Sequence, residues 1–153
     1  MIGARLFIVC GLPGAGKTTL ARQLESKFHA IRFCPDEWLA DLALDFYDET
    51  RRGRIEALQW KLAQALLARG VSVVIEWGTW ARSERDTLRL GARALGADVE
   101  LHYLAVPVEV LYERVKDRGM EYPRIDRDDM NRWAEAFQEP AAEELELFDP
   151  PLT

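Results

Sequence analysis

The segment GLPGAGKTT at residues 11–19 constrains this chain more than any other stretch. It fills the pattern G-x-x-x-x-G-K-S/T with Gly11, Gly16, Lys17 and Thr18, directly after the apolar run LFIVC and directly before the helix-like LARQLESKF. A glycine-rich turn alone is compatible with an ordinary strand–helix joint, whereas the full pattern between a strand and a helix is the context in which such a turn cradles phosphates. Gly11, Gly14 and Gly16 permit a tight loop whose backbone N–H groups turn inward, Pro13 stiffens it, and Ala15 completes it. The helix that starts near Gly16 adds its positive end, Lys17 reaches the β and γ phosphates, and the Thr18 hydroxyl is placed to ligand Mg2+. Thr19 belongs to the same nucleotide-binding loop without a phosphate role of its own, fixing the loop or facing the sheet. The expected cofactors are ATP and Mg2+.

The rest of the chain alternates strand-like and helix-like stretches. Strands are expected at 4–10, 30–34, 71–77 and 98–106, and helices at 17–27, from Asp36 onward, at 51–69, 81–95, 108–118 and 128–139. LELF at 145–148 is the one candidate for a fifth strand, short and acidic. This pattern predicts a three-layer α/β fold with a mostly parallel sheet of four or five strands and its active edge at the carboxyl ends of the strands. The 153 residues suit one domain over 1–153, with residues 118–127 as a small lid. No apolar run approaches the ~20 residues that cross a membrane. The start, MIGARLFIVCG, lacks the basic region and cleavage site of a secretory signal, so the cytoplasm is the expected location. Cys10 and Cys34 end apolar runs and read as small buried hydrophobes rather than a disulfide or a metal pair. With 20 Lys and Arg against 26 Asp and Glu, long-range attraction to a nucleic acid is not expected.

Two carboxylates stand where strand ends face a bound nucleotide. Asp36 follows the second strand and Pro35, which fits either a base for an acceptor hydroxyl or a helix N-cap. Its neighbour Glu37 reads as a first-turn residue that suits the helix dipole. Near the end of the otherwise apolar VVIEW stands Glu76; a charge there calls for a cation, Mg2+-bound water or an arginine partner, with a structural ion pair as the lesser alternative. Trp77 and Trp80 follow it and can line an acceptor pocket or cap the core.

Arg82, Arg85, Arg89 and Arg93 share one helix face, and the first two are near enough to the sheet edge to meet an anionic acceptor. A second basic set brackets Gly119 and Pro123: Arg114, Lys116, Arg118, Arg124 and Arg127. Arginines on a closing segment stabilise charge on a transferring phosphoryl group, while a helix C-terminus enriched in arginine is the plainer account. Arg118 and Arg124 are the preferred pair.

GLPGAGKTTLARQLE, CPDEW, VVIEWGTWARSERDTLR, HYLAVPVEVLYERVKDRG and WAEAFQEPAAEEL together span most of the chain. In this order they resemble the small P-loop kinases of the AAA_33-like group, related to chloramphenicol phosphotransferase and to the kinase domain of polynucleotide kinase. The resemblance implies an acceptor-activating role for Asp36, a lid role for Arg118, and a place for Arg114 near the adenine or the phosphates. It also brings two departures. Glu76 stands where Asp is usual, and Leu39 stands where a polynucleotide kinase is expected to carry an arginine that grips the acceptor's 3′-phosphate. The expected activity is transfer of the γ-phosphoryl of ATP to a small hydroxylated acceptor, with Lys17, Asp36, Glu76 and Arg118 in the chemistry and Thr18, Asp36 and Glu76 about the metal. Phosphorylation of a polynucleotide 5′-hydroxyl, or a nucleotide-dependent binding module without catalysis, are the alternatives. A long nucleic acid and a membrane are not expected as partners.

Overall fold

In a computed structural model, described over residues 3–118 and 125–152, four strands form one parallel sheet. These are β1 (Arg5–Cys10), β2 (Ile31–Phe33), β3 (Val73–Gly78) and β4 (Asp98–Tyr103), in the order β2-β3-β1-β4. All six residues of β1 are buried. Its alternate side chains serve two cores: Leu6 and Ile8 pack with Val73, Ile75 and Leu88 on the side of α3 (Glu49–Ala68) and α4 (Arg82–Ala94), while Phe7 and Val9 pack with Ala21, Leu24 and Val74 on the side of α1 (Lys17–Phe28). Burial on both faces is why the strand reads as an unbroken apolar run.

The three-layer α/β expectation is therefore met, with a four-stranded sheet. A third, smaller cluster joins Ala15 of the glycine-rich loop to α5 (Val108–Arg118) and α6 (Arg127–Ala136) through Leu111, Val115, Ile125 and Met130. It ties the loop's back to the helices that carry the second basic set.

The fifth-strand candidate is corrected. Residues Ala142–Leu145 form a short helix, α7, and the chain then runs beside β4, where Asp149 N–H donates to Val99 O (2.8 Å) and Val99 N–H to Asp149 Oδ2 (2.8 Å). The reason is Glu144, which is buried to meet Arg85 and so fixes a helical rather than an alternating pattern. The start of the second expected helix moves as well. In α2 (Pro35–Asp41) Cys34 is the N-cap and Pro35 takes the first turn, where its missing N–H costs nothing, so Asp36 makes no capping bond. The N-cap reading of Asp36 is thereby excluded and its carboxylate is left for other work. Of the expected lid at 118–127, residues 119–124 lie outside the described residues, Arg124 among them. Among the described residues no helix is long and apolar enough to cross a membrane.

Candidate active site

The loop between β1 and α1 needs glycine for two different reasons. Gly16 caps α1 in the left-handed region (φ 97°), and Gly14 (φ 85°) also lies so close to α5 that a Cβ would stand 3.0 Å from Leu111 O. The loop lies at the carboxyl edge of the sheet, where Gly11 N–H donates to Gly78 O (3.2 Å) and Ala15 N–H to Leu12 O (3.1 Å). Gly11 and Ala15 are buried behind the loop, whereas Pro13, Gly14, Gly16, Lys17, Thr18 and Thr19 line a cavity of about 630 Å3. Lys17 Nζ donates to the carbonyls of Gly11 (2.9 Å) and Leu12 (3.1 Å). Burial pushes its ammonium down to about 8, against the opposing pull of Glu76 and Asp36.

Glu76 meets the arginine partner that its position calls for, Arg32 of β2, and a hydroxyl of the glycine-rich loop. Its carboxylate is buried; Oε1 accepts a short hydrogen bond from the Thr18 hydroxyl, and Oε2 accepts from Arg32 Nη1 at 2.7 Å. Arg32 Nη2 also meets both oxygens of Glu37 at 2.6 Å, so Glu37 is more than a first-turn ornament. Burial disfavours the Arg32 charge, but its hydrogen bonds to Glu37 and Glu76 outweigh this and hold the guanidinium above its usual range. Hydroxyl and carboxylate oxygens side by side suit a hard cation such as Mg2+. Among the described residues no three Asp, Glu, His or Cys side chains gather into a metal site. The residues therefore fit a cation held by Thr18, Glu76 and phosphate oxygens, the usual Mg2+ arrangement in a nucleotide site.

Asp36 faces the same cavity with a different partner, Arg52 of α3, which donates to it through a short ion pair. Nothing in the sequence pattern singled out Arg52. Around this pair the cavity wall is Phe46, Tyr47, Glu49 and Glu56 on one side and Trp77, Trp80 and Glu84 on the other. Burial raises the Glu56 carboxyl to about 7; Arg52 opposes the rise, while Glu84, Glu49 and Asp36 add to it. Trp77 is fixed by its indole N–H to Gln59 Oε1 (2.9 Å), and Trp80 packs against Trp133 and Phe137.

The two basic sets divide. Arg114 and Arg118 line the cavity, and Arg114 Nη1 donates to Gly14 O (3.1 Å). The anion-binding reading of Arg82 and Arg85 is overturned: neither lines the cavity, Arg82 pairs with Glu143, and Arg85 is fully buried against both oxygens of Glu144 (2.6 and 2.9 Å). Arg85 also donates to Thr79 O and Gln138 O, which pins the turn that carries Trp80. Thr79 in that turn holds a left-handed backbone (φ 43°), unusual outside glycine. Cys10 and Cys34 are free, buried thiols, and burial raises both.

Residues 6–140 match a family profile, AAA_33, described as an AAA domain. The chain belongs to the AAA_33 family. Among relatives of this AAA_33 chain, the adenylate kinase isoenzyme 6 homolog of Schizosaccharomyces pombe is 26% identical over 95% of this chain and 77% of that protein. Among solved structures, a chain of the Pnkp1/Rnl/Hen1 RNA repair complex superposes with a TM-score of 0.74 at 23% identity. That match covers 97% of this chain, which spans only 47% of the other. A gluconokinase from Sinorhizobium meliloti 1021 has a TM-score of 0.64 at 19% identity, covering 94% of this chain and 80% of the other. The fold is that of the P-loop kinases, and family and likenesses together support ATP-dependent phosphotransferase activity.

Proposed function

We propose that this AAA_33 chain transfers the γ-phosphoryl group of ATP to a hydroxyl held between α2, α3 and the Trp77–Trp80 turn. The observation that carries the reading is that one cavity is lined by Lys17, Thr18, Asp36 and Glu76 together. The acceptor oxygen forms its bond to the γ phosphorus as the bond from that phosphorus to the β–γ bridging oxygen breaks, and Asp36 takes the hydroxyl proton. Lys17, Arg114 and Arg118 face the phosphate oxygens on which charge develops. Thr18 and Glu76 would hold Mg2+, which would supply positive charge to offset that on the β and γ phosphates.

Two acceptor classes follow, each with its own support. A small, uncharged or amine-bearing hydroxyl compound suits a wall where Asp36 already occupies the Arg52 charge and Glu49, Glu56 and Glu84 would repel a phosphate. A polynucleotide 5′-hydroxyl is the second reading, and the comparisons lean toward it through the likeness to a chain of an RNA repair complex. Arg52 also brings a cation beside Asp36, a charge that Leu39 does not supply. Incubation with γ-labelled ATP and Mg2+ against pooled sugars, nucleosides, aminoglycosides and 5′-hydroxyl oligonucleotides tests both. Label transfer to the small-molecule pools supports the first class, label on the oligonucleotides supports the second, and no transfer to any pool overturns the kinase reading.

A further inference from the structure

The half-buried arginine of β2 has no part in the chemistry outlined above, yet its guanidinium is the hub of the charged groups beneath the cavity. Arg32 stands opposite Val74 in the register of β2 and β3, and Val74 packs with the core on the α1 side. Glu76 is two residues further along β3, so period-two alternation turns it to the same side, toward α1 and Thr18. One flat guanidinium then reaches both ways: Nη1 to Glu76 Oε2 at 2.7 Å, and Nη2 to the two oxygens of Glu37 at 2.6 Å. Its own backbone N–H is held by Glu25 Oε2 (3.2 Å). The side chains of Arg32 and Glu76 are only 8% and 4% exposed, so water does not compete for this contact.

We propose that Arg32 is a positioning residue that aims the Glu76 carboxylate at the Thr18 hydroxyl, where a nucleotide-bound Mg2+ would be held. A glutamate has one more rotatable bond than an aspartate, and a buried carboxylate free to swing would satisfy Thr18 in only part of its rotamers. By taking Oε2, Arg32 leaves Oε1 one direction, toward Thr18. The same pairing keeps the charge of Glu76 from standing alone in a buried place. The longer side chain at this position is in this way accommodated by a partner on the neighbouring strand, and Glu37 holds that partner from α2, the helix that carries Asp36. Lysine cannot replace it, since a single ammonium does not span two carboxylates in one plane.

This inference rests on the reading of Thr18 and Glu76 as the metal side of the site, and its test needs no acceptor. ADP affinity is measured calorimetrically with and without Mg2+, in the wild type and in Arg32→Gln. The wild type should bind ADP more tightly with Mg2+. Arg32→Gln should lose about 10-fold or more of that tightening, the range typical of residues that orient metal ligands, while metal-free ADP affinity stays within about twofold. In a Glu76→Asp background, whose shorter arm no longer reaches Arg32, the same substitution should cost much less. If Arg32→Gln does not fold, Arg32→Lys decides, with a partial loss expected. Full Mg2+-linked tightening in the Arg32 variants that fold, even with lowered thermal stability, would make the pair structural only and overturn the proposal. An equal loss in the Glu76→Asp background would overturn the link to side-chain length. Wild-type ADP affinity that ignores Mg2+ would overturn the metal reading itself, a result distinct from an unaffected variant.

Discussion

The proposed phosphate end of the cavity takes most of its wall from one stretch of chain, residues 13–19, with Arg114 and Arg118 added from α5, whereas the proposed acceptor end is gathered from α2, the start of α3, the end of β3 and the turn after it. At the first end the proposed nucleotide contacts are mostly backbone N–H groups and Lys17 of a loop set by glycine geometry. At the second the lining groups are side chains held by partners on other elements: Asp36 by Arg52 and Trp77 by Gln59, both of α3, and the Trp80 turn by Arg85 of α4, itself fixed by Glu144. A contiguous loop carries its geometry wherever its strand and helix are placed. A gathered wall exists only when the whole sheet is assembled, so its shape is open to change without loss of the phosphate site.

Substitution at each end should expose this difference. Lys17→Ala removes the cation of the loop and should reduce phosphoryl transfer by about 10²–10³-fold or more, with nucleotide binding weakened in parallel. Calorimetry and a turnover assay check this, and unchanged binding together with unchanged turnover would remove the phosphate-end assignment. Asp36→Asn strikes the other end. Acceptor phosphorylation should fall about 10²–10⁴-fold while ATP affinity holds, because a general base touches the acceptor and not the phosphates. Loss of ATP affinity in Asp36→Asn would show that the two ends are not separable.

The smallest effect concerns the acceptor wall's charge. Glu56 has its folded-state carboxyl raised to about 7 by burial, from an ordinary 4.5. Between those values the folded state binds the proton more readily than the unfolded one, so the stability that protonation gives is present below about 4.5 and lost as pH rises through about 7. Glu56→Gln removes the ionisation. Its melting temperature should match the wild type near pH 4.5 and exceed it at pH 8 by about 2–4 °C, the shift that about 1 kcal/mol produces in a chain of this size once water at the cavity mouth has screened part of the effect. Thermal scans at the two pH values decide; an equal offset at both would mean that packing, not charge, distinguishes the variant.

Much of the fold was legible because its signals are local. Apolar runs buried on both faces gave β1 and β3, helical spacing gave α1, α3 and α4, and the glycine-rich pattern located the phosphate loop. The position of Glu76 was legible too, since a charge at the end of an apolar strand has to be explained. Its partner left a fainter trace, a lone arginine inside AIRFC and a lone glutamate inside VVIEW, unlike charges in strands that turn out to be neighbours. Arg52 left none, because an arginine near the start of a polar helix is unremarkable until α3 is packed beside α2. The fifth strand and the anion-binding role of Arg85 failed for one shared reason, the buried Arg85–Glu144 pair, which links residues 59 apart and turns two surface-like charges into core.

The sequence by itself determined the phosphate loop and the layered sheet, because both depend on contacts within a few residues or on a repeating pattern of apolar positions. The tertiary structure alone decided which arginine serves which carboxylate: Arg32 for Glu76, Arg52 for Asp36 and Arg85 for Glu144. Charge acts through space, and any of the chain's many arginines satisfies a carboxylate equally well on paper. Only strand order and helix packing bring one of them within hydrogen-bond distance, and for Arg32–Glu76 and Arg85–Glu144 also bury the contact from water.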